Sequence, residues 1–320
     1  VRDTNACLDT VPVTIGQPTP INSNATPTMP TCNGLSNGSI SMNTNGGTNP
    51  YQYNIVGIGI WQSNNIFNNL TAGTYNIAVR DTNACLDTVP VTIGQPDTLI
   101  ASIVNITNVS CFGNSDGSIS ITANGGTAPY QYNIVGNTNW QTSGTFTGLI
   151  AGSYNIAVRD TNGCTDVIFN IDIIQPDTLD ASIANINNVS CFGYSDGSIS
   201  ITTNGGTTPY QYSLDTNISW QSSNIFNGLI AGNYNVTVKD TNGCIDTVNI
   251  NIDQPTQISS NATPTMPTCN GFSNGSISMN TSGGTNPYQY NIVGIGNWQS
   301  NSIFNNLTAG TYNIAVRDTN

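Results

Sequence analysis

A single pattern recurs four times along this chain at intervals of 78 to 80 residues, and it constrains the fold more than any other feature. Trp61, Trp140, Trp220 and Trp298 mark it, as do Tyr75, Tyr154, Tyr234 and Tyr312. Residues 79–96 repeat residues 1–18 letter for letter. A fixed period of this size specifies a row of like modules rather than one large globule. Each module lies near the size at which a hydrophobic core alone gives marginal stability.

The recurring Gln-Pro pairs at 17–18, 95–96, 175–176 and 254–255 frame the row, because proline cannot extend a β-ladder and stiffens a linker. The modules are then 19–96, 97–176, 177–255 and 256–320. Residues 1–18 read as the last strand of a preceding module, and module four lacks that strand. A window cut from a longer chain explains both ends. Donor-strand assembly, in which one copy completes the next, is the alternative.

Module two shows the local structure most plainly. Ile119 and Ile121 alternate with polar residues, as do Tyr130, Tyr132 and Ile134, then Tyr154, Ile156 and Val158, then Val167, Phe169, Ile171 and Ile173. Period-two alternation means strands with one buried face. Turn signals separate them at 114–117, Gly125-Gly126, Ala151-Gly152 and 160–163. No segment has a helical period. Each module opens a late strand with Leu, a Gly turn and Tyr (Leu70 to Tyr75, Leu149 to Tyr154, Leu229 to Tyr234, Leu307 to Tyr312), which resembles the tyrosine corner of immunoglobulin-like sandwiches. Trp140 is expected to cover the core. The fold class is therefore all-β: tandem immunoglobulin-like antiparallel β-sandwich modules in an elongated string. Strands of this length give each module roughly 35–40 Å, and four in line about 150 Å.

Composition removes several functions. The chain has no His and no Glu, and only 7% of its residues are charged. A Ser-His-Asp or Cys-His centre cannot be built without His. A pair of Asp residues acting on glycosidic bonds is conceivable chemistry, but Asp recurring in every module fits turns better, so no catalytic residue is assigned. A formal charge of −12 opposes binding to nucleic acid or to anionic membranes. No apolar run is long enough for a membrane-spanning helix, and no signal peptide precedes Val1. Eight cysteines in register suit an oxidising, extracellular setting.

The modules resemble the SprB repeat family. In module two the shared signature is Cys111-Phe-Gly-Asn-Ser-Asp-Gly-Ser-Ile119, then Gly125-Gly-Thr-Ala-Pro-Tyr130, then Leu149 to Tyr154, then Asp160-Thr-Asn-Gly-Cys164. Modules one and four depart from it: Asn37 and Asn274 stand where module two has Asp116, and Ala84 stands for Gly163. Such repeats occur in very large adhesins of gliding Bacteroidota. The resemblance implies secretion through the type IX system and display on the bacterial cell surface.

Four sets of residues are candidates for chemistry. The cysteines, Cys7, Cys32, Cys85, Cys111, Cys164, Cys191, Cys244 and Cys269, are disulfide candidates. In-module pairing gives Cys32–Cys85, Cys111–Cys164 and Cys191–Cys244, each closing 53 residues and contributing roughly 4 kcal/mol on the chain-entropy model. In an immunoglobulin topology, however, the two positions lie at opposite ends of a domain. Staples across the joints, Cys32–Cys164 and Cys111–Cys244, are the alternative to this simpler scheme, followed by free thiols or other pairings. Asp97, Asp116, Asp160, Asp177, Asp196 and Asp240 are weak calcium candidates, against turn capping by the same side chains; no other cofactor is expected.

Thr10, Thr88, Thr98, Thr178 and Thr247 sit in Asp-Thr-apolar triplets that resemble the O-glycosylation acceptor of secreted Bacteroidota proteins. All five basic residues (Arg2, Arg80, Arg159, Lys239, Arg317) share one register before an Asp. They read as solvated strand ends with a local ion pair, or as a receptor-binding row. The functional expectation is a stalk segment of a surface adhesin. The alternatives are a multivalent carbohydrate- or receptor-binding array, for which Phe112, Phe192, Tyr194 and Phe272 are the aromatics to inspect, and the donor-strand fibre. Partners are neighbouring repeats and surface glycans or other cell-surface molecules.

Overall fold

The computed structural model describes residues 1–215 and 219–319. Thr216 to Ile218 of module three and Asn320, the last residue of module four's frame, lie outside the described residues. All regular elements described are strands. Module one holds β1 (Asn22–Thr28), β2 (Gly38–Asn45), β3 (Gln52–Ile55), β4 (Ile66–Leu70), β5 (Gly73–Arg80) and β6 (Leu86–Ile93). Module two repeats the set as β7 (Ile100–Thr107), β8 (Gly117–Asn124), β9 (Gln131–Ile134), β10 (Thr145–Leu149), β11 (Gly152–Arg159) and β12 (Thr165–Ile173). Module three does so as β13 (Asp180–Asn187), β14 (Gly197–Asn204), β15 (Gln211–Leu214), β16 (Ile225–Leu229), β17 (Gly232–Lys239) and β18 (Ile245–Ile252). Module four contributes β19 (Ser259–Thr265), β20 (Gly275–Ser282), β21 (Gln289–Ile292), β22 (Ile303–Leu307) and β23 (Ile314–Arg317).

In module one β1-β2-β4 form one antiparallel sheet and β3-β5-β6 the other. The same orders recur as β7-β8-β10 with β9-β11-β12, and as β13-β14-β16 with β15-β17-β18. The chain thus switches sheets from β2 to β3, from β3 to β4 and from β4 to β5, as Greek-key connections of an immunoglobulin-like sandwich do. Alternation decides which side chains meet between the sheets. Ile40 and Met42 of β2 pack with Tyr53 and Ile55 of β3, Ile77 and Val79 of β5, and Val91 and Ile93 of β6. Module three builds the same core on Ile199, Ile201, Val236, Val238, Ile250 and Ile252.

By its contacts the chain divides into two compact units: residues 1–108 with 116–173, and residues 109–115 with 174–320. The short exchanged segment 109–115 carries Cys111.

Two expectations about side chains are corrected. Phe169 was placed on the buried face of β12, but it is 65% exposed. A bulge shifts the register between Tyr154 and Ile156, and Asn170 adopts φ 56° with its N–H donating to Asn155 Oδ1 at 2.9 Å. The extra residue turns Phe169 outward and restores Ile171 to the core. Trp140 does not join the core either. It is half-buried beneath Arg159.

Candidate functional site

The joint between successive modules is where the recurring polar residues converge. One side is the loop that follows the first strand and carries the first cysteine. In module one the Gly34 N–H donates to Gln95 Oε1 at 2.9 Å and Asn33 Nδ2 donates to the Pro96 carbonyl at 3.0 Å. The same glutamine contact recurs from Gly113 to Gln175 and from Gly193 to Gln254, at 2.9 Å each. The Gln-Pro pair therefore does more than break the ladder: its amide fixes the cysteine loop against the module's own last strand.

The other side is the Asp-Thr-Asn-Gly-Cys hairpin. Asp160 is 4% exposed. One carboxylate oxygen accepts the N–H groups of Asn162 and Cys164, both at 2.9 Å, and the other accepts the Thr127 N–H at 2.8 Å. Asp240 grips Thr207 and Cys244 in the same way, and Asp81 grips Thr48, Asn83 and Cys85. Burial pushes the Asp81 carboxyl up, but the N–H donors of Thr48, Cys85 and Asn83 together outweigh it and hold the group below the ordinary carboxylate value. The hairpin needs a left-handed residue before its cysteine. Gly163 has φ 83° and Gly243 φ 87°, whereas Ala84 is forced to φ 63°.

Two disulfides join these halves across modules. Cys32 bonds Cys164 and Cys111 bonds Cys244, each with Cα atoms 5.7 Å apart, inside the usual span. Beside each bond the hairpin asparagine donates to a carbonyl of the preceding module: Asn162 Nδ2 to Thr31 at 3.2 Å, and Asn242 Nδ2 to Ser110 at 3.0 Å. The in-module scheme is corrected by this pairing, because the hairpin reaches back to the preceding module's loop and not to the loop of its own module. Cys7, Cys85, Cys191 and Cys269 take part in neither bond, and Cys7, Cys85 and Cys269 are exposed.

The remaining candidates are dispersed. Among the described residues no group of three or more Cys or Asp side chains is placed to hold a metal ion. Asp97, Asp116, Asp177 and Asp196 are exposed. Asp196 accepts the N–H and the hydroxyl of Ser190, and the hydroxyl first, then the N–H, holds its carboxyl below the ordinary value. Asn37 and Asn274 perform the same turn closure as amides, accepting the N–H of Thr31 and Thr268 at 3.0 Å each. This interchange of Asn and Asp marks a turn position rather than a cation ligand. Thr10, Thr88, Thr98, Thr178 and Thr247 are all exposed. The corner tyrosines Tyr75, Tyr154, Tyr234 and Tyr312 donate to the carbonyls of Thr71, Ile150, Ile230 and Thr308 at 2.9, 2.9, 2.8 and 2.9 Å.

The basic register has a role that reading strand ends alone misses. Arg80, Arg159, Lys239 and Arg317 lie over the rings of Trp61, Trp140, Trp220 and Trp298, 4.2 to 4.3 Å from the centroids. The local ion pair expected with the following Asp is replaced by this stacking, since Asp81, Asp160 and Asp240 turn onto backbone N–H groups. Every Trp precedes its cation by 19 residues, a spacing visible in the sequence alone.

Sheet order, corner and joint together define a tandem immunoglobulin-like repeat protein. The family model described as SprB repeat matches residues 24–58, 103–139, 183–217 and 261–297, once in each module. The chain therefore carries SprB repeat matches at four tandem positions. No curated protein sequence matches it. Among solved structures it is similar to three N-terminal domains of the bacteriophage RB49 outer capsid protein Hoc, at 13% identity and TM-score 0.35, covering 72% of this chain and 94% of that one. It is also similar to fibronectin(III)-like modules of Clostridium thermocellum CbhA, at 17% identity and TM-score 0.25, covering 48% and 95%.

Proposed function

We propose that this chain is a stalk segment of a large, non-catalytic adhesin, secreted and displayed on a bacterial cell surface, where it supplies reach and stiffness for adhesion or gliding. Its modules are framed as 19–96, 97–176, 177–255 and 256–320. The observation that carries the reading is the pairing of the first cysteine of one module with the hairpin cysteine of the next, at two consecutive joints. Such a bond fixes one module against the next, which a load-bearing row uses directly.

The two bonds overlap in sequence. Under tension the taut path runs from Cys32 to Cys164 through sulfur, back along the chain to Cys111, and through sulfur again to Cys244. The stretch 111–164 then carries load in place of the whole stretch 32–244. Single-molecule pulling tests this directly. Adding reductant is expected to lengthen the fully extended chain by roughly 550 Å, at ~3.5 Å per residue. Equal contour lengths with and without reductant would rule the staples out as load-bearing elements.

Surface exposure of all five Asp-Thr-apolar threonines supports O-glycosylation at those positions, and the family supports export through the type IX system. A second reading, an array that binds glycans or receptors, draws on Phe112, Phe192, Tyr194 and Phe272, which are 49 to 57% exposed. Phe192 and Tyr194, however, line a cleft with Thr256, Gln257 and Arg317 of the next module. That position favours joint packing over an outward ligand site.

A further inference from the structure

Modules two and three carry the same cleft at the same place, beside the stacked cation. In module two it is lined by Pro129, Gln131, Thr142, Arg159, Thr161 and Gly163 among others, and holds about 380 Å³. In module three Pro209, Gln211, Lys239, Thr241 and Gly243 line its counterpart, of about 460 Å³. Both volumes lie in the range of about 300–1,000 Å³ usual for small-ligand sites. One hydrogen bond fixes the wall of each. The Thr161 hydroxyl donates to the Pro129 carbonyl and the Thr241 hydroxyl to the Pro209 carbonyl, at 3.1 Å each.

The charge of each cleft comes from one side chain. Arg159 closes β11 and Lys239 closes β17. Each lies over its tryptophan on one side, and Arg159 Nε donates to Gln131 Oε1 at 2.8 Å. Among the described residues the Arg159 terminal nitrogens, Lys239 Nζ, the Gln131 amide nitrogen and the Thr142 hydroxyl have no hydrogen-bond partner. Asp160 and Asp240 also border the clefts. Both are buried, however, and their oxygens are taken by backbone N–H groups. The two clefts thus share a positive charge with unspent donors, a guanidinium in one and an ammonium in the other. Such donors suit a carboxylate, which a guanidinium meets with two parallel bonds and an ammonium as a point charge.

We propose that each cleft takes the carboxylate of an acidic sugar at the end of an otherwise neutral glycan. Net charge decides against a polyanion. The chain carries −12 in all, so a polymer charged at every residue is repelled along its length. A single carboxylate in the cleft answers mainly to charges within about 8 Å at physiological salt, and there the cation is nearest. The lining decides for a sugar. Threonine, glutamine and glycine outnumber the apolar groups, and Pro129 or Pro209 offers one flat face to a ring. In module two Arg159 and the Gln131 amide hold the carboxylate, and Thr142 holds a ring hydroxyl. In module three Lys239 takes the place of the arginine. The proposal deepens the glycan-binding reading at residues other than the exposed aromatics. It does not rest on the stalk reading, since bearing load and holding a ligand are separate tasks.

NMR titration of the whole isotope-labelled chain provides the test. The probe is a trisaccharide of neutral sugars ending in glucuronate, and its glucose-ended twin is the control. Amide shifts are expected at Gln131, Thr142 and Gly163, and at Gln211, Thr241 and Gly243. The acidic probe is expected to bind about tenfold more tightly than its neutral twin, the scale of one charge-assisted hydrogen bond. Thr142→Glu, at an exposed rim position, sets a like charge beside the cleft and leaves Arg159 and Trp140 in place. It is expected to abolish the shifts in module two and spare those in module three. Arg159→Gln is expected to do the same, while Arg159→Lys keeps binding as Lys239 does. Equal affinity for the two trisaccharides, or module-two shifts that survive both Thr142→Glu and Arg159→Gln, overturns the proposal. Acetate or a glutamate tripeptide bound as tightly in the clefts overturns the sugar as the ligand. Shifts confined to Phe112, Phe192, Tyr194 and Phe272 overturn this site and keep the glycan-binding reading, and no shift anywhere overturns both.

Discussion

Residues 1–18 and 79–96 are the same eighteen letters in two environments, and they fold differently. In the second, Val91 and Ile93 are 7% and 1% exposed within a ladder of eight paired residues. In the first, Val13 and Ile15 are 79% and 94% exposed and a single bridge forms. Module four shows the same lesson from the opposite side. Its residues 310–317 are identical to β5, which runs over Gly73–Arg80, yet the strand there is Ile314–Arg317, paired among the described residues with β21 on one side. Strand propensity is alike in each pair, so propensity does not decide the outcome. The decision lies with a paired edge and an apolar face to cover, supplied together.

The largest effect expected from this difference is at the buried isoleucine. Ile93→Ala removes a side chain from between the sheets and is expected to cost module one about 2–5 kcal/mol. Ile15→Ala, the same change in the same sequence, is expected to stay within about 0.5 kcal/mol in dilute chain. Hydrogen exchange at the β5 and β6 amides reads module one separately from its neighbours. Equal protection in the two variants would mean that residues 8–15 are ordered against the protein in solution.

A smaller difference separates the two copies of the hairpin aspartate. Asp3 accepts only its own hairpin's N–H groups, from Asn5 and Cys7, while Asp81 also receives the Thr48 N–H from across the module. The Asp81 carboxyl is held below its ordinary value. A depressed folded-state value stabilises above the unfolded value, and that contribution disappears as pH falls through the folded one. Module one is therefore expected to be insensitive to pH from neutrality down to about 5 and to weaken below about 4. Asp81→Asn is expected to remove most of this acid dependence and lower the melting temperature, by less than Ile93→Ala does. Asp3→Asn is expected to change neither. Thermal melts at pH 3, 4, 5 and 7 check all three.

The sandwich was legible because its core is written in alternation. Ile119, Ile121, Tyr132, Ile156 and Val158 point inward as their spacing requires. The bulge at Asn170 was not legible, since an inserted residue leaves the composition of a strand unchanged and only moves its phase. Cysteine connectivity was underdetermined for a related reason. Modules one to three each carry the same two cysteines, so register alone fits pairing within a module or between neighbours. The choice depends on how far the Asp160 hairpin projects and on the Asn162 amide that meets Thr31. The tryptophans were misassigned because size and apolarity argue for a core position, although the constant spacing to each cation was available to argue for a surface stack.

That stack gives the smallest and most local contrast. Arg80 lies 4.2 Å from the Trp61 ring centroid and its Nε donates to Gln52 Oε1 at 2.8 Å, whereas Arg2, in the twin segment, is exposed and forms no sheet with such a strand. A cation over an indole at a partly exposed site contributes about 0.5–1 kcal/mol. A double-mutant cycle of Arg80→Ala and Trp61→Ala, read by hydrogen exchange in β3 and β5, is expected to give a coupling of about that size, while Arg2→Ala is expected to be neutral. Raising salt from 0.05 to 1 M is expected to reduce the coupling only slightly, because the ring shields one face of the guanidinium and the Gln52 amide is uncharged. A coupling that vanished in high salt would instead assign the register to long-range attraction between Arg80 and the acidic surface, and would remove the stack as the reason a basic residue stands there in every module.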